Sequence, residues 1–179
     1  MNIPGGIRVK LSLALLVIVG SALLAAYAII VPSLERRLVA AKLDQQEADA
    51  QILSINFATQ AAQNKLSLPV FVDGAGFIAN SRVIVFGVGG SPARRTLLSL
   101  ADSAAVGGSE MESDPTALRA AATVSTVRAR VRHDGREYAE VAVPLLTGGD
   151  VMLLTSSLSD QLATVALVKR RLLFATVAS

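Results

Sequence analysis

The sequence predicts an α+β fold in which a long N-terminal helix precedes a five-stranded antiparallel sheet, with a closing helix at the end. Three observations predict it. No charged side chain occurs from Leu11 to Val31, and neither Gly nor Pro occurs from Ser33 to Leu66. Beyond Pro69 the apolar period changes from helical to strand-like.

The uncharged run of 21 residues rises about 1.5 Å per residue as a helix, enough for the ~30 Å hydrocarbon core of a bilayer. Residues 11–31 are therefore read as a transmembrane helix and 1–10 as a cytoplasmic N-terminus, since Arg8 and Lys10 flank the entry. A cleaved signal peptide is the alternative, with Ala26-Tyr27-Ala28 as its small-x-small site. The apolar run continues through Ile29, Ile30 and Val31, which favours an uncleaved anchor. At the other end Lys169, Arg170 and Arg171 precede eight uncharged residues, 172–179, which read as the start of a second, truncated membrane helix. The chain is thus expected to be a piece of a longer protein, held in the cell membrane with its central domain outside.

The net charge of +3 resides at these edges. The five flanking basic residues contribute +5, and residues 32–168 carry twelve basic against fourteen acidic groups, or −2. That balance leaves no positive face for a polyanion, so nucleic acid is not an expected partner. Without cysteine and with one histidine, disulfides, thiolate sites, histidine-rich metal sites and catalytic triads are excluded.

Residues 32–66 are predicted to form a membrane-proximal helix capped by Ser33 and closed by Pro69. Steps of four and three select Leu34, Leu38, Ala41, Gln45, Ala48, Ile52, Ile55, Thr59, Ala62 and Leu66, of which eight in ten are apolar. Such a stripe is a dimer seam of a parallel coiled coil or a stripe packed on the chain's own sheet, and both can coexist. Residues 67–157 supply the sheet domain. Its first strand is expected over 82–88, ended by Gly89, Gly90, Ser91 and Pro92, with a partner over 94–103. Residues 107–115 read as a loop, and Asp114-Pro115 as the cap and first position of a helix through Ala122.

The turn at His133-Asp134-Gly135-Arg136 joins the next two strands. A three-residue loop with a bulge at Gly135 pairs Val127 with Val143, Ala129 with Val141 and Val131 with Ala139, giving one apolar face. It also sets Arg130 opposite Glu140 and Arg132 opposite Tyr138. That register is preferred over the two-residue loop, which mixes Arg128 with Val141 and Arg130 with Ala139. Gly148 and Gly149 lead into a last strand over 150–156, and 158–171 form the exit helix.

This layout resembles the extracytoplasmic input region of bacterial two-component sensor histidine kinases, a PAS-like or single-Cache domain between two membrane helices. The resemblance rests on Arg8-Val9-Lys10-Leu11, on Arg82-Val83-Ile84-Val85-Phe86, on the stretch from Tyr138 to Leu145, and on Leu158-Ser159-Asp160-Gln161-Leu162 through Leu172. It implies a homodimer that answers a small-molecule or protein signal and passes it to a response regulator through domains beyond this segment. ATP and Mg²⁺ belong to that missing kinase core, so no cofactor and no catalytic residue are expected here. Such sensors hold carboxylate or phosphate ligands with cations, which makes Arg94, Arg95, Arg128, Arg130 and Arg132 the candidate ligand site, with outward ion pairs as the plainer explanation.

His133 sits in a turn and is expected to be solvated rather than a phosphoacceptor. Glu110, Glu112 and Asp114 form an acidic cluster whose alternatives are a weak divalent-ion site and a solvated loop, and the loop is preferred because the ligand spacing of an EF-hand is missing. An input domain of a chemoreceptor or cyclase shares the same layout. A pilin-like subunit is the structural alternative, but Gly6-Ile7 is not followed by Glu at the fifth position, which is Leu11. A membrane-anchored enzyme lacks catalytic groups.

Overall fold

Alanine and leucine are the commonest residues in the first third of the chain and favour helix. In the computed structural model, which describes residues 7–91, 94–104, 108–145 and 149–159, they form one helix, α1, over Ile7–Ala62. Pro32 lies inside it rather than in front of a new helix, and Ser33 is an interior residue, not a cap. Strong helix formers on both sides outweigh the single backbone hydrogen bond that a proline removes.

Helix α2, Leu68–Ala79, then replaces the expected entry into the sheet. Pro69 opens this helix instead of merely closing the last one, because a proline in the first turn has no helical donor to lose. The remaining elements are β1 (Arg82–Ser91), β2 (Arg94–Asp102), a 3₁₀ turn over Gly108–Met111, α3 (Pro115–Thr123), β3 (Val127–His133), β4 (Arg136–Pro144) and β5 (Val151–Ser157). The expected exit helix and second membrane segment, beyond Ser159, lie outside the described residues.

By contacts the chain divides into residues 1–38 with 160–179, and residues 39–159. In the first unit the large apolar side chains of α1 are exposed, among them Leu11, Leu15, Ile18, Leu24 and Ile29. Among the described residues no helix is long and apolar enough to cross a membrane; the side chains of residues 23, 26, 27 and 31 in the uncharged run lie outside that description.

The second unit is built on one antiparallel sheet of order β2-β1-β5-β4-β3. Alternate residues of its central strands face opposite ways, and both faces are covered. On one side Val83, Val85, Val141, Met152 and Leu154 pack against Ala50, Leu53 and Phe57 of α1 and Phe71, Val72 and Ala75 of α2. On the other, Ile84, Phe86, Ala142, Val151 and Leu153 pack against Met111, Ala117, Ala120 and Ala121. Gly76 lets α2 come close to the sheet, since a Cβ there would stand 2.9 Å from Ser103.

Two-sided burial overturns the expected hairpin register. Arg128 pairs with Val141, Arg130 with Ala139, Val131 with Tyr138 and Arg132 with Glu137 across a two-residue turn. Asp134 and Gly135 both have positive φ, 50° and 77°, as a type I′ turn requires. The bulged register has in its favour that it makes one face apolar. That criterion fails here, since β4 is buried on both faces from Ala139 to Val143, and the turn geometry decides instead.

Helix α1 meets the sheet through Leu43, Gln46, Ala50, Leu53 and Phe57, a stripe with the expected spacing but shifted from the sequence-predicted seam. The seam residues Leu34, Ala41, Gln45, Ala48, Ile52 and Ile55 are exposed, and Leu38 is half-buried.

Two stability effects follow. Phe57 stands edge-on to Phe71 with ring centroids 5.3 Å apart, so Phe57→Ala is expected to cost about 3–5 kcal/mol in denaturant unfolding. Gly135→Ala adds a Cβ with no atom within 4 Å of it, so only backbone strain at positive φ acts, and a loss of about 1–2 kcal/mol is expected.

Candidate functional site

The sequence-predicted arginine site is not assembled. Arg94 and Arg95 stand at the start of β2 and Arg128, Arg130 and Arg132 on β3, at opposite edges of the sheet. Four strand spacings of about 4.8 Å put some 19 Å between those edges. The β3 arginines are engaged in ion pairs. Arg128 reaches Asp44 at 2.8 Å and Glu47 at 3.3 Å on α1. Arg130 pairs with Glu137, and Arg132 lies 3.4 Å from the same carboxylate. These pairs are partly solvated and contribute little stability each.

The acidic loop disperses in the same way. Glu110 pairs with Arg82 at 3.1 Å, Glu112 accepts from the Ser99 backbone N–H at 3.0 Å, and Asp114 caps α3 as expected, its Oδ1 accepting from the Ala117 N–H at 2.8 Å. Arg82 also holds Asp102 through two hydrogen bonds of 3.1 and 2.7 Å. Hydrogen bonding to Asp102 raises the pKa of this guanidinium.

What the fold does assemble is a polar cluster on the α3 side of the sheet. The two-residue turn rotates Glu140 away from the arginines and into the interior, where it is fully buried. Its Oε2 accepts from Thr116 Oγ1 of α3 at 2.7 Å, and Thr155 of β5 stands 3.5 Å from Oε1. His133, the last residue of β3, shares a 2.9 Å hydrogen bond between Nε2 and Glu140 Oε1. The same Nε2 lies 3.6 Å from Asp114 Oδ2.

His133 is therefore no solvated turn residue. Its side chain is one-third exposed, at 33%, while those of Asp114 and Glu140 are fully buried. Burial first, and then the nearby Asp114 carboxylate, push the Glu140 pKa upward. Tyr138 packs beside the imidazole with centroids 5.7 Å apart, rather than opposite Arg132.

The cluster borders an open cleft of about 1130 Å³, whose lining includes His133 and Thr155 together with Asn80, Arg82, Glu110 and Arg132. Of the five arginines expected at a ligand site only Arg132 lines it. Asp114, His133 and Glu140 each present one ligand atom, all within 4.8 Å of one another. Sequence reading missed Glu140 because a Glu in an exposed-looking Arg/Glu pattern gives no sign of burial. The one available signal was the Asp-Gly turn, which favours the two-residue loop.

Comparison of the chain with family models, with curated proteins and with solved structures finds no match.

The buried hydrogen bonds have measurable value. Thr116→Val leaves Glu140 Oε2 without that donor and is expected to lower unfolding free energy by about 1–3 kcal/mol. Thr123→Val, at an exposed hydroxyl that bonds only Arg119 O and Ser125, is expected to change it by less than about 0.5 kcal/mol.

Proposed function

We propose that this chain is the input and transmembrane-signalling segment of a sensor of the histidine kinase type, anchored in the cell membrane with residues 39–159 on the extracytoplasmic side. The observation that carries the proposal is the division of labour within α1. One stripe of its second half is buried on the sheet, and the opposite stripe, with Ala41, Ala48, Ile52 and Ile55, is exposed and apolar in part.

That geometry suits a helix serving two partners at once. The sheet-facing stripe couples α1 to the domain's core, and the free stripe suits a parallel pairing with a second copy of the chain. The same helix contains the uncharged run Leu11–Val31, whose exposed leucines, isoleucines and valines are matched by lipid better than by water. Basic residues precede it, and Glu35, Arg36 and Arg37 follow it.

In such a device a stimulus acts by binding one arrangement of the domain better than another. A differential of about 1.4 kcal/mol changes the population ratio tenfold. The cleft beside β3 and β5 is the place for a small polar ligand to exert that preference, and α1 is the output. A kinase core, with its ATP, Mg²⁺ and response regulator, acts downstream of the helices.

In membranes, cysteines placed at Ala41 or Ile52 are expected to crosslink to their twins at least several-fold faster than one at Gln51, which lies off the stripe. Equal rates at all three positions would remove the seam. Residues 1–179 fused in frame to a kinase core are expected to confer signal-dependent autophosphorylation that Ile52→Asp and Ile55→Asp together abolish. A fusion indifferent to those substitutions overturns the proposal.

A further inference from the structure

The cluster of Asp114, His133 and Glu140 crowds two buried carboxylates around one imidazole nitrogen. Asp114 Oδ2 is buried and has no hydrogen-bond partner, in a side chain that is fully buried. An unpaired buried carboxylate oxygen costs more than a typical hydrogen bond returns. It points toward His133 Nε2, 3.6 Å away, and that nitrogen is already hydrogen-bonded to Glu140 Oε1 at 2.9 Å. A single N–H can serve one of the two oxygens well.

The other oxygen of each carboxylate is held in place. Thr116 Oγ1 donates to Glu140 Oε2 and the Ala117 N–H donates to Asp114 Oδ1. Each acid therefore presents one oriented oxygen to the same nitrogen. Outer donors that fix carboxylates in this manner are the usual support of a metal site. We infer that Asp114 Oδ2, His133 Nε2 and Glu140 Oε1 form a binding site for one divalent transition-metal ion, of which Zn²⁺ is the natural probe.

The distances agree with that assignment. Metal bonds of about 2.0–2.1 Å to imidazole nitrogen and carboxylate oxygen place neighbouring ligand atoms about 2.9–3.4 Å apart, depending on coordination number. The two nitrogen–oxygen separations of 2.9 and 3.6 Å require shifts of a few tenths of an ångström, and all three ligand atoms lie within 4.8 Å of one another, close enough to converge on one ion. One imidazole and two carboxylates favour a borderline ion over Mg²⁺, which prefers all-oxygen octahedra with several waters. Three protein ligands leave positions open, and the exposed third of His133 on the cleft wall gives the ion its entry. The ligands come from the α3 cap, the end of β3 and the middle of β4, so occupancy would tie α3 to the sheet. This site stands whether or not the chain is a sensor.

The test uses the full, tag-free chain in detergent micelles after chelator treatment. Zn²⁺ titration is expected to show one saturable equivalent, with the ring signals of His133, the chain's one histidine, shifting in the same stoichiometry by NMR. Asp114→Asn, which keeps the helix cap because its amide oxygen still accepts from Ala117, is expected to weaken binding at least about tenfold, and Glu140→Gln likewise. Thr116→Val, which touches no ligand atom, is expected to weaken it by about ten-fold. Absence of a saturable equivalent, or one that leaves the histidine signals unmoved, overturns the proposal even if a variant fails to fold. Displacement of Zn²⁺ by an equal concentration of Mg²⁺ overturns the choice of ion class.

Discussion

Burial of the sheet on both faces is the constraint on which the rest of the second unit depends. With α1 and α2 on one side and α3 on the other, β1, β5 and most of β4 must be apolar at consecutive positions, not alternate ones. Residues Val83 to Phe86 and Val151 to Leu154 meet that demand with no exposed surface at all. Each such side chain contributes roughly 1.5–3 kcal/mol on burial, so the central strands tolerate very few polar residues. Thr155 and Glu140 are the exceptions among the described strand residues, and Glu140, the ionisable one, is accordingly the most informative position in the domain.

A buried carboxylate persists only where donors surround it. Thr116 and His133 supply them from two different elements, so Glu140 links α3 to the end of β3 as well as occupying β4. A polar cluster of this kind is costly if half-satisfied, and the orphaned Asp114 Oδ2 is where the satisfaction runs out. Gln46 repeats the motif on the other face of the sheet. Its Nε2 donates to Ser81 and Ser156 at 3.3 and 2.9 Å, which ties α1 to the ends of β1 and β5. Polar links at that end of the sheet therefore connect helices on both faces to strands that border one cleft.

The same two-sidedness divides α1. A helix covering a sheet offers it one stripe about a third of the circumference wide, and the alanines and glutamines elsewhere neither demand nor forbid burial. This explains why a single 3.5-residue rhythm in the sequence accommodates two parallel stripes. Leu43, Ala50, Leu53 and Phe57 pack on the sheet, while Leu34, Ile52 and Ile55 stay exposed. Phe57 is the largest side chain in the first set, and it packs edge-on against Phe71 of α2.

Much of this was legible in the sequence, where local chemistry is decisive. The α+β class, the first hairpin near Gly90, the Asp114 cap with Pro115 and the ends of β5 all depend on residues within a few positions of one another, and short-range sterics and capping determine them. Tertiary structure alone decided that Pro69 begins a helix, that the hairpin takes the tight register, and that Arg128 at the β3 edge finds its partners on α1. Those outcomes turn on which faces are covered, a property of residues far apart in the chain. The site followed the same rule. Asp114, His133 and Glu140 are ordinary surface residues by sequence, and only packing α3 onto the sheet brings one nitrogen and two buried carboxylates together.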